Sequence, residues 1–374
     1  MIEPLDDSQR LRVLVLTNHF KWFGGSEIVA LEIARGLSNL GDDVTLASNV
    51  IGAPLADHAA GLTLTDDIAA IDLPSFDLVW CQHDLLSLLP LTTWACAARD
   101  GLPHIVLVSL SPFEPYEHLN GALARALSAD LYANSAETAD AVAAANHGML
   151  KRDDIHVFHN AAPARFWRRA DCAPSAQLGS VLFVSNHPPT EVDACAALLE
   201  SHGVAVRRLG TGHTVRLIEP DDLSSADAIV STGKTISYAI ATGKPAFIYD
   251  HFGGDGWLTG GNFEHNRYFN FSGRPQKRRL HAEALSAEVL GGFGRAAAQS
   301  ANRADQFDLS RFHLEHHLHA LRQRALCDRE SGSRRLLRRA RLALSLRQTA
   351  FRAHLETSRC KAEVMRSLRR YLDL

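Results

Sequence analysis

The residues best suited to chemistry lie between Asp227 and Gly256. There an apolar run ends in Ser231-Thr232-Gly233-Lys234-Thr235, and a second ends in Tyr249-Asp250-His251-Phe252-Gly253-Gly254. Small residues after a strand let a ligand approach the backbone, and a helix start offers free amide donors and a positive dipole end. With two hydroxyls and the Lys234 ammonium beside them, these groups suit a diphosphate; a solvated lysine over a tight turn is the alternative. The Gly-Lys-Thr triplet is not a P-loop, because that motif needs glycine at position 228, where Ala228 opens the strand. Asp250 and His251 are placed to bind ligand hydroxyls, with Gly253-Gly254 a flexible loop after them, and Arg274 to help neutralise phosphate. Packing of that loop is the competing role. His19 and His83 each follow an apolar run, and imidazole is the side chain whose ordinary pKa lies near neutral pH, which makes them the candidates for proton transfer or else structural histidines. Gly24-Gly25-Ser26 forms another strand-to-helix turn with donors for an anion, a role it shares with close helix packing.

These loops need parallel strands to hold them. Val13 to Thr17, Val44 to Ala47, Leu78 to Cys81, Ile105 to Val108, Leu131 to Ala133 and Ile155 to Phe158 are near-continuous apolar runs, as strands buried on both faces should be. A helix from about Ser26 buries Val29, Ile33, Leu37 and Leu40 and stops at Gly41, and Ser135 is an N-cap. In the second half, strands are expected over 181–184, 204–209 up to Gly210, 215–218, 228–230 and 246–249. Thr190 caps one helix, Ile236, Ala239, Ile240 and Gly243 stripe another, and 286–321 forms a last one interrupted at Gly291, Gly292 and Gly294. The class is α/β: a Rossmann-like domain over 1–165, a linker at 166–177, a second such domain over 178–325 and a basic helical tail at 326–374. Doubly wound sheets present ligand loops at the C-terminal strand ends, so function should sit in the cleft between them.

The 374 residues are 46% hydrophobic and 22% charged, with a net charge of −3, which exerts no global pull toward nucleic acid. The six cysteines have no short paired spacing, so neither zinc nor a redox motif is indicated, and reduced cytoplasmic thiols are expected. The acidic N-terminus does not resemble a signal peptide, and no apolar run approaches the ~18 residues of a membrane span. Charge is uneven: from Arg334 to Arg370 arginines dominate against only Glu356 and Glu363, while Leu336, Leu337, Ala340, Leu344, Phe351 and Leu355 supply an apolar strip. That tail suits an anionic membrane surface, an acidic protein partner, or packing back across the first domain.

Several segments, in order, resemble the GT-B glycosyltransferases of the family-four type. Gly24-Gly25-Ser26-Glu27 is similar to that family's first loop, Ala129 to Ser135 to its alanine-aspartate and asparagine-serine strand, His156 to Asn160 to the close of its first domain, and Ala239 to Pro245 to its helix end. A variant bacterial subgroup associated with surface polysaccharides is similar at Gly233 to Thr235, Tyr249 to Gly254 and Asn270 to Arg274. The resemblance implies a metal-independent glycosyltransferase with no separate cofactor, taking a nucleotide-sugar on the second domain and a glycan or lipid-linked acceptor on the first. The base would lie near Val215 to Glu219 beyond Gly210, and the diphosphate near Ser231 to Thr235. The paired glutamates of the family fall at Val230 and Tyr238, so neither is present; Tyr238 is left to touch the ribose. A nucleotide-sugar epimerase of the same fold and a catalytically silent scaffold are the alternatives. The setting implied is cytoplasmic, at the inner face of the membrane if the tail anchors it.

Overall fold

Apolar runs flanked by small turn residues become two sheets whose faces are both covered. The computed structural model describes residues 9–90, 101–118, 120–146, 149–167, 177–303 and 307–330. Strands β1 (Arg12–Phe20), β2 (Asp43–Ile51), β3 (Thr63–Thr65), β4 (Leu78–Gln82), β5 (His104–Ser109), β6 (Asp130–Ala133) and β7 (Ile155–Val157) form an all-parallel sheet in the order β3-β2-β1-β4-β5-β6-β7. Strands β8 (Ser180–Ser185), β9 (Ala205–Gly210), β10 (Ala228–Ser231), β11 (Ala246–Asp250) and β12 (Gly253–Trp257) form the second, ordered β12-β11-β10-β8-β9, parallel except for β12. Alternation within β1 sends Val13 and Val15 into one apolar cluster and Leu14 and Leu16 into another, one on each face.

The helices are α1 (Gly25–Asn39), α2 (Pro115–His118), α3 (Asn120–Leu127), α4 (Ala136–Ala145), α5 (Thr190–Ser201), α6 (Pro220–Ser224), α7 (Lys234–Ala241), α8 (Phe263–Tyr268), α9 (Ala282–Ala301) and α10 (Leu314–Glu330). The Ser135 cap is present, its side chain accepting from the Thr138 amide. Thr190 is instead the first helical residue after a Pro189 cap. The stretch 215–218 forms no strand. Gly253 and Gly254 are not a loop but open β12: a Cβ there would stand 2.3 Å from the Arg278 carbonyl oxygen and 1.9 Å from that of Ile248, so backbone crowding selects glycine rather than mobility. Helix α9 runs through Gly291, Gly292 and Gly294, and at Gly292 the Trp257 indole occupies the space of a side chain.

The division at residue 325 is also corrected. Helix α10 crosses back to the first sheet, where Leu314, Leu318, Leu321 and Ala325 share a cluster with Leu11, Val13 and Leu37. Its charges are used there. Arg322 donates to both oxygens of buried Asp42 at 2.7 and 2.9 Å, and His104 lies 2.8 Å from Asp328 and 3.2 Å from Asp130. The tail from Ser333, with its proposed amphipathic strip, and most of the 166–177 linker lie outside the described residues.

Burial works against a charged His104, but Asp130 and Asp328 outweigh it and raise the imidazole pKa. For Asp130, hydrogen bonds and charge from His104 and Arg324 outweigh burial and hold the carboxyl down to about 2. A histidine raised on folding contributes stability that is complete below its unfolded value near ~6.5 and is lost as pH rises through the folded value. The melting temperature should therefore fall between about pH 6 and pH 9 for the wild-type chain, whereas His104→Gln should melt lower at about pH 6 and show a flatter profile. A calorimetric pH series checks this.

Candidate functional site

Two helix N-termini face each other across the gap between the sheets. The turn after β1 brings Gly24 to the N-cap of α1, and the turn after β10 brings Gly233 to that of α7, at φ +60° and ψ −129°, a conformation suited to glycine. Two cavities open there, and Gly25 and Lys234 line both. The first, about 510 Å³, is lined by Ser26, His83, Ser111, Phe113, Glu114, Glu117 and Asn160 from the first half and by Gly233 and Asn270 from the second. The second, about 380 Å³, is lined by Gly24, Ser185, His187, Gly210, Val215, Arg216, Ser231, Thr232, Thr235, Tyr238, Asp250 and His251.

The expected donor loops are thus brought together, with Val215 and Arg216 on the same cavity, but several side chains are engaged differently from expectation. Lys234 is not solvent-facing. Its ammonium stands 2.6 Å from Glu32 Oε2 on α1 and 3.3 Å from the Ala161 carbonyl oxygen. Tyr238 lines the second cavity but is buried, its hydroxyl donating to Glu32 Oε1 at 2.7 Å rather than to a ligand and its ring stacked on Phe166 at 4.1 Å. Burial and the neighbouring carboxylate push that phenol pKa well above its ordinary value. Arg165 adds a third contact to Glu32 at 3.1 Å. Lys234 forms an ion pair with Glu32 and donates a hydrogen bond to Ala161, and an ammonium has three donors, so donor capacity remains for a ligand in either cavity.

Arg274 is corrected as well: it pairs with Glu137 of α4, lies over the Phe113 ring and lines neither cavity. The Ser231 hydroxyl donates to the Val184 carbonyl at 2.7 Å, and the Gly233 amide to that of Phe271 at 3.0 Å. Among the described residues, the side chains of Thr232 and Thr235 have no protein hydrogen-bond partner. Gly210 is required by space, since a Cβ would lie 1.8 Å from the Ser185 carbonyl oxygen. Asp250 accepts from the Ser185 hydroxyl at 2.7 Å, and His251 Nδ1 lies 3.6 Å from its carboxylate.

Of the two histidines, His19 belongs to β1, which runs on to Phe20; it is paired with Val50 and lines neither cavity. His83 does line the first. Its Nδ1 accepts from the Asn18 amide at 3.3 Å, so the neutral ring carries its proton on Nε2, and burial with nearby His19 pushes its pKa down to about 4. It is a poor proton acceptor.

Three residues of the site escaped the sequence. Glu32 falls with Val29 and Gly36 at i, i+3 and i+7 on α1, and a carboxylate within a buried stripe was the available signal. Glu117 sits in α2, where burial pushes its carboxyl up to about 7. Asn160, at φ +48°, donates to Asn270 at 3.0 Å while its buried Oδ1 has no protein donor.

No family model and no curated protein matches the chain. The solved structure of a glycosyltransferase from Rickettsia africae ESF-5 matches over 85% of this chain and 99% of that one, at 12% identity and a TM-score of 0.51. The fold is GT-B. Other GT-B structures that resemble it include WaaG, a glycosyltransferase involved in lipopolysaccharide biosynthesis, at 11% identity over 84% of this chain and 98% of that one with a TM-score of 0.48. LpCGTa, solved in complex with UDP, shows 14% identity over 86% and 99% with a TM-score of 0.47.

Within this GT-B cleft, Glu32→Ala leaves the Lys234 and Arg165 cations facing each other without their shared anion. Breaking a buried pair in this way costs about 3 to 5 kcal/mol. Denaturant unfolding should register that loss. Lys234→Ala should also destabilise the chain, contrary to the solvent-facing lysine expected from sequence.

Proposed function

We propose that the protein transfers a sugar from a nucleotide-sugar donor, held in the second cavity, to an acceptor in the first. The observation that carries this reading is the convergence of two glycine-capped helix N-termini on one interdomain space, beside the unpartnered hydroxyls of Thr232 and Thr235 and the remaining Lys234 donor. Such a cluster favours a diphosphate through dipole, hydrogen bonds and charge. The nucleoside would extend past Gly210 toward Val215 and Arg216, and the sugar toward Asp250 and His251. Gly25 and Lys234, common to both cavities, mark where donor and acceptor would meet. The donor is a substrate, and the reading assigns no metal or other cofactor.

The sequence resemblance supports a role in bacterial surface-polysaccharide assembly with a glycan or lipid-linked acceptor. The arginines of 334–370 would draw the chain to an anionic membrane or an acidic partner. No helix of the described residues is long and apolar enough to cross a membrane.

Thr235→Val separates ligand binding from folding, because the hydroxyl makes no protein hydrogen bond. Calorimetry should find a nucleoside diphosphate, from a set of UDP, GDP, ADP and dTDP, that binds the wild-type chain. The variant should bind it about tenfold more weakly at an unchanged melting temperature. Equal affinity in the two proteins would argue against the cradle.

A further inference from the structure

Glu117, in the short helix α2, is a buried acid held in an unusual way. One oxygen, Oε2, accepts from the Leu110 amide at 2.7 Å and the Ser111 amide at 3.1 Å, which fixes the carboxyl over the loop that follows β5. The other, Oε1, accepts no such bond and lies 4.0 Å from His83 Nε2, on the wall of the first cavity. Asn160 lines the same cavity, and its buried Oδ1 has no protein donor. His83 cannot take a proton there, because its Nδ1 lone pair is occupied by the Asn18 amide and its Nε2 carries the hydrogen.

We propose that Glu117 is a catalytic residue, its Oε1 taking the proton of the acceptor hydroxyl, with His83 Nε2–H orienting that hydroxyl. This assignment rests on the donor and acceptor cavities of the proposed function. In the step, the acceptor O–H bond breaks and its proton passes to Glu117. The freed electron pair forms the new bond to the anomeric carbon, and the bond from that carbon to the diphosphate oxygen breaks as the nucleoside diphosphate leaves. Taken in line with the departing diphosphate, this attack is a single displacement and inverts the anomeric centre. The charged groups around Glu117 are Glu114 on its own loop, His83 and Asp84 after β4, and Lys234 across the cavity from α7. Burial, reinforced by Glu114 and Asp84, raises its carboxyl to about 7, where proton transfer at neutral pH is well matched.

The test uses the full chain with UDP-glucose, UDP-N-acetylglucosamine, GDP-mannose and dTDP-glucose as probes, water serving as acceptor. Calorimetry comes first: if none of the four binds, the transferase reading fails and this assignment falls with it. For a donor that binds, Glu117→Gln should lower nucleoside diphosphate release by at least about a hundredfold, change donor affinity less than about twofold, and abolish the acidic limb of the pH profile. Proton NMR of the first-formed sugar should show inversion. Glu117→Asp, which keeps the charge but withdraws it, should lose turnover while melting near the wild-type temperature. Release at the wild-type rate in Glu117→Gln, a retained acidic limb, or a retained anomeric configuration would each overturn the assignment, and so would loss of donor affinity in step with turnover.

Discussion

A single carboxylate, Glu32, is shared by three donors from beyond the first sheet: the Lys234 ammonium, the Tyr238 hydroxyl and the Arg165 guanidinium. The Glu32 and Lys234 charges alone would each be costly so far from water, and with the part-exposed Arg165 the three leave one net positive charge at the cleft. The contact ties α1 to α7. Because both helices begin at the cleft, fixing their bodies fixes their N-termini, and the second cavity takes its shape from that registration. Asn186, which donates to the Phe23 carbonyl at 3.2 Å, and the Glu137 to Arg274 pair continue the same clasp.

The clasp also divides labour among the cations. Lys234 and Arg165 serve Glu32, Arg216 serves Asp222 at 2.5 and 2.7 Å, and Arg274 serves Glu137. An anionic ligand would therefore find amides, hydroxyls and one ammonium donor rather than a free arginine clamp. Neutral donors hold a phosphate group less tightly than unpaired guanidinium groups would, so on the proposed transferase reading a diphosphate product could leave readily.

Much of the scaffold was legible because central parallel strands are long apolar runs, and because Gly41, Ser135 and Pro245 mark helix boundaries by backbone chemistry. The order of those units gave the GT-B resemblance. What escaped was decided by distant contacts. Gly253-Gly254 looks like a loop until Arg278 and Ile248 are seen crowding it into β12. Helix α10 returns to the first sheet from Leu314 onward, ahead of the tail at 326–374 for which packing back across the first domain was one expectation. Lys234 and Tyr238 line the second cavity and Arg274 lines neither, and the partners that engage them, Glu32 and Glu137, are 202, 206 and 137 residues away in sequence, where no local pattern reveals such pairs. Glu117 is ordinary in sequence and becomes distinctive only through burial.

The central claim is that the interdomain space lined by Gly210, Thr232 and Thr235 is a nucleotide-diphosphate site. A crystal structure of the full chain with the tightest-binding nucleoside diphosphate tests it most directly. The account predicts phosphate density at the N-terminus of α7, hydrogen-bonded by the Thr235 hydroxyl, with the base beside Val215 and the Glu32 to Lys234 contact intact. A nucleotide bound elsewhere, or one lying in this cavity with its phosphates turned away from α7, would contradict it.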